Sequence, residues 1–158
     1  YKQRKLLYHN RGGGLFDEVA ARFGAVLTEE RVSRGLAAGD LDNDGRIDVV
    51  INDLDGSPQV LHNEFAGTGN WLRVKVTGAK GNTNGIGALI LVRTGAVTQR
   101  RLVQSGTSYI SQDDMRQHFG LGTATVVDAV EVRWPDGTST MKEKVKANQQ
   151  IEIAQPAR

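Results

Sequence analysis

Short runs of alternating or β-branched apolar residues recur along the whole chain, and Gly, Asn and Asp separate them. Strict alternation of apolar and polar residues is typical of half-buried β-strands, whereas amphipathic helices repeat their apolar positions every three to four residues. The sequence has no long stretch with helical spacing. The pattern therefore predicts an all-β fold, with at most one helical turn at 20–23.

The first part of the chain contains five predicted strands, joined by turns rich in glycine, asparagine and aspartate. These strands lie at 5–9, 15–19, 36–39, 46–52 and 59–63, with turns at 10–14 and 54–56. Three consecutive glycines in the first turn favour a tight hairpin between the first two strands, because glycine adopts turn conformations at no steric cost.

The second part shows the alternation of a sheet with one solvated face. Apolar residues occupy every second position of 71–77, and 88–93 is almost continuously apolar, which predicts a central strand. Further strands are predicted at 97–103, 115–120, 129–134, 138–143 and 149–153. We expect a β-sandwich or barrel-like module, with Trp71 and Trp134 as core anchors; stacking on a sugar is the alternative role for either indole.

The polar, glycine-rich stretch 66–70 is the predicted boundary between the two parts. It divides the chain into 1–66 and 67–158. The length of 158 residues fits one compact domain or a domain with an appendage. The chain begins at Tyr1, and we expect it to be a piece of a longer protein.

Four aspartates lie around a glycine in the segment 40–48, DLDNDGRID, and this is the most chemically specific motif of the chain. Carboxylates so close together repel one another, and a hard divalent cation with oxygen ligands compensates that repulsion. Gly45 permits the sharp turn that such a loop requires. The predicted metal ligands are Asp40, Asp42, Asp44, the backbone carbonyl of Arg46, and Asp48, and we expect no charged role for the Arg46 side chain.

The predicted ion is calcium. The loop departs from an EF-hand, because position twelve is Ile51 and an apolar strand, instead of a helix, follows Gly45. Magnesium fits less well, since it keeps several waters and seldom uses a dedicated carboxylate cage. The alternative is a solvated acidic turn that binds no ion.

Composition and charge exclude several classes of function. The chain has no cysteine, which excludes disulfides, thiolate metal sites and a cysteine nucleophile. The net charge of +2 is uneven: residues 1–66 carry eight Lys or Arg against eleven Asp or Glu, and 67–158 carry twelve against seven. The aromatic and basic interleaving of nucleic-acid platforms is missing, and no apolar run is long enough to span a bilayer. We therefore expect neither a nucleic-acid partner nor a membrane span.

Several strings resemble two known families. In the first part, LYHNRGGGLFDEV at 7–19 and the segment 34–56 are similar to the end of one FG-GAP/VCBS-type β-propeller repeat and the calcium-bearing start of the next. In the second part, NGIGA, SGTSYISQ, HFGLG and VRWPDG resemble the ASPIC/UnbV domain at 84–88, 105–112, 118–122 and 132–137. The resemblance implies calcium at the equivalents of the five predicted ligands. It also implies a secreted, periplasmic or cell-surface protein that recognises a protein or carbohydrate ligand.

A single propeller blade leaves unpaired strand edges and an uncovered apolar face. We therefore expect the blade segment to pack on the second module or to self-associate, and the remaining blades of a complete propeller to be its partners. The turn at 10–14 has Gly13 where related repeats often carry an acid, so a second cation is not expected there.

Catalytic signatures are weak. The three histidines are far apart in sequence, and none has the spacing of a zinc motif. Ser105, Ser108 and Ser111 lack the G-x-S-x-G frame of a hydrolase nucleophile. The sequence favours a non-catalytic module, and the alternative is a carbohydrate-active or hydrolytic pocket that joins His118, Asp113 or Asp114 and one of these serines.

Overall fold

The computed structural model describes residues 1–54, 56–67 and 69–157, and in these residues the all-β prediction is confirmed. The strands are β1 (Tyr8–Gly12), β2 (Leu15–Glu18), β3 (Ser33–Gly39), β4 (Asp48–Asp53), β5 (Gln59–Leu61), β6 (Asn70–Thr77), β7 (Leu89–Thr94), β8 (Val97–Leu102), β9 (Gln117–Gly122), β10 (Val126–Arg133), β11 (Ser139–Lys146) and β12 (Gln149–Ala154). Two 3₁₀ turns, Ala20–Arg22 and Ala25–Leu27, follow β2, and the sequence predicts the first of them.

Strands β6 to β12 form a β-sandwich of two sheets. One sheet has the strand order β11-β10-β7-β8 and is antiparallel throughout. The other has the order β12-β6-β9, in which β6 pairs parallel with β12 and antiparallel with β9. The described residues form no closed barrel, so the sandwich is the correct one of the two predicted architectures.

The core of the sandwich follows from the alternation in the sequence. Leu72 and Val74 on β6 are fully buried, and they face Ile90 and Val92 of the other sheet within one apolar cluster. Trp134 belongs to this cluster, as predicted. Trp71 does not, because it lies on the outer face of β6 and is only half-buried.

The first part of the chain has little apolar core of its own. It forms the hairpin β1-β2 and the antiparallel sheet β3-β4-β5. Among the residues of this part that the structure describes, only Val19, Ala20 and Ile51 are buried apolar side chains, and the buried polar side chains include Asp40, Asp48 and Asp53. Burial of so little apolar surface does not stabilise an independent domain, so polar contacts with the rest of the chain must contribute.

The free edge of β3 is covered by the loop between β8 and β9. The amide of Ala38 donates to Asp113 Oδ1 at 2.8 Å, and its carbonyl accepts the amide of Asp114 at 2.9 Å. Leu36 N donates to Ser108 Oγ at 3.3 Å. Of the two expected ways to cover residues 1–66, the structure shows packing on the later part of the chain at the edge of β3.

Most strand predictions are correct to within two or three residues, with β6 beginning at Asn70 and forming an integral strand of the sandwich. The predicted turn at 54–56 includes Asp55, and the predicted boundary at 66–70 includes Thr68; both of these residues lie outside the described part of the chain. The division into 1–66 and 67–158 stays a prediction.

Candidate metal centre

The acidic loop connects β3 to β4 at the end of their sheet where Gly39 pairs with Asp48. Two residues in the loop have positive φ, Asn43 at 64° and Gly45 at 91°. Asparagine and glycine are the residues that adopt such angles most readily, so the sequence NDG suits this turn. The predicted role of Gly45 in a sharp turn is confirmed.

Two buried carboxylates hold the loop through backbone amides. Asp40 accepts the amide of Asp44 at 3.0 Å on Oδ1 and the amide of Gly45 at 2.9 Å on Oδ2. Asp48 accepts the amide of Leu41 at 3.0 Å and the amide of Asn63 at 2.8 Å. Because each of these aspartates is only 1% exposed, the loop carries concentrated negative charge in a desolvated position.

The pKa of Asp48 illustrates how that charge is stabilised. Burial raises its pKa, but the amides of Asn63 and Leu41, together with His62, outweigh burial and hold the pKa below its usual value. The Nδ1 atom of His62 lies 3.1 Å from Asp48 Oδ1. Asp48 is therefore a charged carboxylate at neutral pH, as a metal ligand must be.

Three of the predicted ligands come together as one oxygen cluster. A carboxylate oxygen from each of Asp40, Asp42 and Asp48 lies within 4.8 Å of the others. Such a set of hard oxygen donors suits calcium, which completes its shell with carbonyls and water. The residues present therefore fit the implied ion, and the fit is through Asp40, Asp42 and Asp48.

Asp44 and Arg46 have a different arrangement from the one predicted. Asp44 groups with Asp42 and His62 within 4.8 Å, so Asp42 belongs to both clusters. The guanidinium of Arg46 contacts the Asp44 carboxylate and donates to the carbonyl of Asn63. The Arg46 side chain thus carries a charged role that the sequence analysis did not predict, while coordination by its carbonyl stays a prediction.

The second module contributes two arginines to this loop. Arg73, on the outer face of β6, donates from Nη1 to Asp40 Oδ2 at 2.6 Å and from Nη2 to Asn43 Oδ1 at 3.0 Å. Arg116 donates to the same Asn43 oxygen at 2.8 Å and to the Asp40 carbonyl at 3.1 Å. The candidate metal centre therefore lies at the junction of the two parts of the chain.

Trp71 covers the glycine of the loop. A β-carbon added to Gly45 would overlap the indole of Trp71, so only glycine fits at this position. The ring of His118 is stacked on the Trp71 indole, with centroids 5.9 Å apart. Arg73 Cζ lies 5.6 Å from the Trp71 ring centroid, which completes a packed group of three side chains against the loop.

His118 is held neutral by this environment. Burial lowers its pKa, the nearby charges of Arg73 and Arg101 lower it further, and Asp40 opposes them. The His118 side chain takes up a proton near pH 6.5 in the unfolded chain, whereas in the folded chain it resists protonation until a lower pH. The folded state therefore loses stability as the pH falls below about 6.5.

Unfolding in urea between pH 5 and pH 8 is expected to show a shallower loss of stability at acid pH for His118→Gln than for wild type. Parallel curves would refute this role of His118.

A cleft of about 420 Å³ beside the loop tests the hydrolase alternative. His118, Asp113 and Asp114 line it, but the described lining contains none of the three candidate serines. Asp113 accepts an amide of β3, Asp114 pairs with Arg116, and Nδ1 of His118 is buried without a hydrogen-bond partner among the described residues. The described residues of the cleft therefore do not join a nucleophile, a base and an orienting acid by hydrogen bonds. This geometry favours binding over hydrolysis.

Sequence reasoning missed His62, Asn43, Arg73, Arg116 and Trp71 as parts of the site. Of these residues, His62 could have been found from the predicted strands. If β4 and β5 are paired antiparallel with Val49 opposite Leu61, as the structure shows, His62 lies beside Asp48. Arg73 lies on β6 and Arg116 lies in the loop just before β9, both far along the chain from the acidic loop, and no local motif marks them. No helical segment in the described ranges has the length and apolar character that a membrane crossing requires.

The chain is similar to cartilage acidic protein 1 from three animals. It is 27% identical to the Mus musculus and Homo sapiens proteins in alignments of 158 residues that cover 96% of this chain and 24% and 23% of those proteins. It is 30% identical to the Xenopus tropicalis protein in an alignment of 129 residues that covers 77% of this chain and 20% of that protein. The chain thus spans about a quarter of the length of these relatives. Residues 78–158 match the family model described as ASPIC and UnbV, and the chain belongs to that family.

Proposed function

We propose that this chain is a non-catalytic, calcium-binding module of a secreted or cell-envelope protein, and that calcium has a structural role in it. The observation that carries the proposal is the cluster of oxygens from Asp40, Asp42 and Asp48 at the junction of the two parts. A cation there would neutralise buried charge and fix the loop that connects β3 to β4. The ion would thereby stabilise the fold of the first part of the chain.

We further propose that residues 1–66 are part of an FG-GAP/VCBS-type propeller and that the other blades cover their apolar surface. Several large apolar side chains in this segment are between 54% and 64% exposed, and these include Leu15, Phe16, Phe23, Val60 and Phe65. Exposed apolar surface of this extent is typical of an interface. The similarity to much longer relatives supports a longer parent protein as the source of that partner surface.

The proposed biological role is adhesion or recognition of an extracellular protein or carbohydrate. The word cartilage in the name of the relatives supports an extracellular location, where millimolar calcium fills weak sites. The cleft beside the loop, which Arg100, Arg101 and His118 line, offers a polar surface for such a ligand.

An array of matrix proteins and glycans, probed with the full-length protein, tests this role. Binding to one class of ligand in calcium, and its loss in chelator, is the expected result. The Asp42→Ala protein serves as the matched control, because it is expected to lose calcium without losing the sandwich. Binding that is unchanged by chelator and by Asp42→Ala would contradict a calcium-dependent recognition module.

A further inference from the structure

Arg73 is a buried cation that contacts the acidic loop. The ion pair between Arg73 and Asp40 is almost completely removed from water, with side chains 6% and 0% exposed. Removing two charges from water is costly, and the cost is recovered only when each charge has good partners. A cation that binds Asp40 must therefore contend with an ion pair that is already desolvated.

Both oxygens of Asp40 already accept hydrogen bonds in this arrangement, and Oδ2 accepts two of them. Its two oxygens accept the amides of Asp44 and Gly45, and Oδ2 also accepts Nη1 of Arg73. Because each carboxylate oxygen has about two acceptor sites, a divalent cation reaches Oδ2 only by replacing one of its donors, and otherwise it shares Oδ1 with the amide of Asp44. The amides belong to the loop itself, whereas Arg73 belongs to β6, so the guanidinium is the donor that can move without unfolding the loop.

The guanidinium is also incompletely satisfied. Its Nε atom is buried and has no hydrogen-bond partner in the described part of the chain. An unsatisfied buried donor is unfavourable, so the position of Arg73 depends on its attraction to Asp40. A positive charge 2.6 Å from a ligand oxygen also repels a second cation at the same carboxylate.

We propose that Arg73 is a built-in counter-cation of the acidic loop that competes with calcium for Asp40. In this role it keeps the loop folded when no metal is bound and lowers the affinity of the loop for the metal. Calcium binding therefore weakens the contact between the loop and Arg73 on the outer face of β6, and that contact in turn weakens calcium binding. This inference rests on the proposed calcium site, and it makes the second module a determinant of calcium affinity.

Calcium titration of wild type and Arg73→Gln by isothermal calorimetry tests the proposal. The variant is expected to bind calcium roughly tenfold more tightly or better, because a full charge is removed from beside a ligand. Its melting temperature is expected to fall in chelator and to recover on addition of calcium, with a larger increment than wild type shows. An affinity equal to or weaker than that of wild type would overturn the proposal.

Two further variants separate charge from position. Lys75→Gln removes one positive charge from the same face of β6, where Lys75 is half-exposed and paired with Glu152, and its calcium affinity is expected to stay close to wild type. Arg73→Lys keeps the charge and is expected to stay within about threefold of wild type, since charge dominates the competition. A lysine variant that binds as tightly as the glutamine variant would contradict competition by charge.

The remaining outcomes are also decisive. If Arg73→Gln is unfolded in chelator and folds when calcium is added, the metal replaces the guanidinium and the proposal is supported. If it stays unfolded in saturating calcium, the proposal fails. If wild type and Arg73→Gln both take up no calcium, the proposed function fails and this inference fails with it. Calcium uptake by wild type with unchanged affinity in the variant overturns only the inference.

Discussion

Calcium is expected to raise the melting temperature of this protein relative to a buffer with chelator. Binding to the folded state alone stabilises it by about 2.7 kcal/mol when the free ion is at a hundred times its dissociation constant. For a chain of this size that corresponds to an increase of roughly 5–10 °C. Scanning calorimetry in millimolar calcium and in chelator measures the difference directly.

Asp42→Ala is expected to abolish this increment, because Asp42 belongs to both acidic clusters. Its side chain is 48% exposed, so the substitution is not expected to disturb the fold in chelator. Asp44→Ala is expected to abolish the increment too, if Asp44 is a ligand as the sequence predicts. Asp17→Ala, at an exposed aspartate of the β1-β2 hairpin, is the control and is expected to keep the full increment. Equal midpoints for wild type in calcium and chelator would contradict structural calcium binding.

Gly45→Ala is expected to destabilise the protein by about 2–5 kcal/mol, because it combines backbone strain with steric overlap. Gly45 has φ at 91°, and the added methyl group would overlap the Trp71 indole. Either Trp71 or the loop must then move, which would disturb the contact between the loop and β6. Urea unfolding followed by circular dichroism measures the loss.

Gly81→Ala is the matched control for that substitution. Gly81 has nearly the same backbone angle, with φ at 97°, but an added β-carbon meets no atom within 4 Å. It is expected to lose only the strain contribution of about 1–2 kcal/mol. A double-mutant cycle of Gly45→Ala with Trp71→Ala is expected to be non-additive, since the two side chains share one contact. Equal losses for the two glycine variants would show that the fit against Trp71 has no energetic effect.

The strands of the sandwich were predictable because their pattern is local. The apolar positions that alternate along β6 lie in the core, and the continuous apolar run of β7 gives one buried face, with Ile90 and Val92, and one half-buried face, with Leu89 and Leu91. Which sheets form, and the parallel pairing of β6 with β12, depend on chain connections that alternation does not encode.

The environment of the acidic loop was predictable only in part. The spacing of its aspartates and Gly45 indicates a turn with convergent oxygens, and three of the four carboxylates do converge. Alternation places Arg73 on the solvated face of β6, yet the side chain is buried because the loop covers that face. Asp113 and Asp114 bind the edge of β3, which lies some seventy-five residues away in the sequence, and no local pattern indicates that contact.

The most direct test of the central claim is a calorimetric titration of calcium into the folded wild-type chain, with Asp42→Ala titrated in parallel. Wild type is expected to show saturable uptake at a single site, and the variant is expected to show no measurable uptake. Absence of uptake by folded wild-type protein, or equal uptake by both proteins, would contradict a calcium site built on Asp40, Asp42 and Asp48.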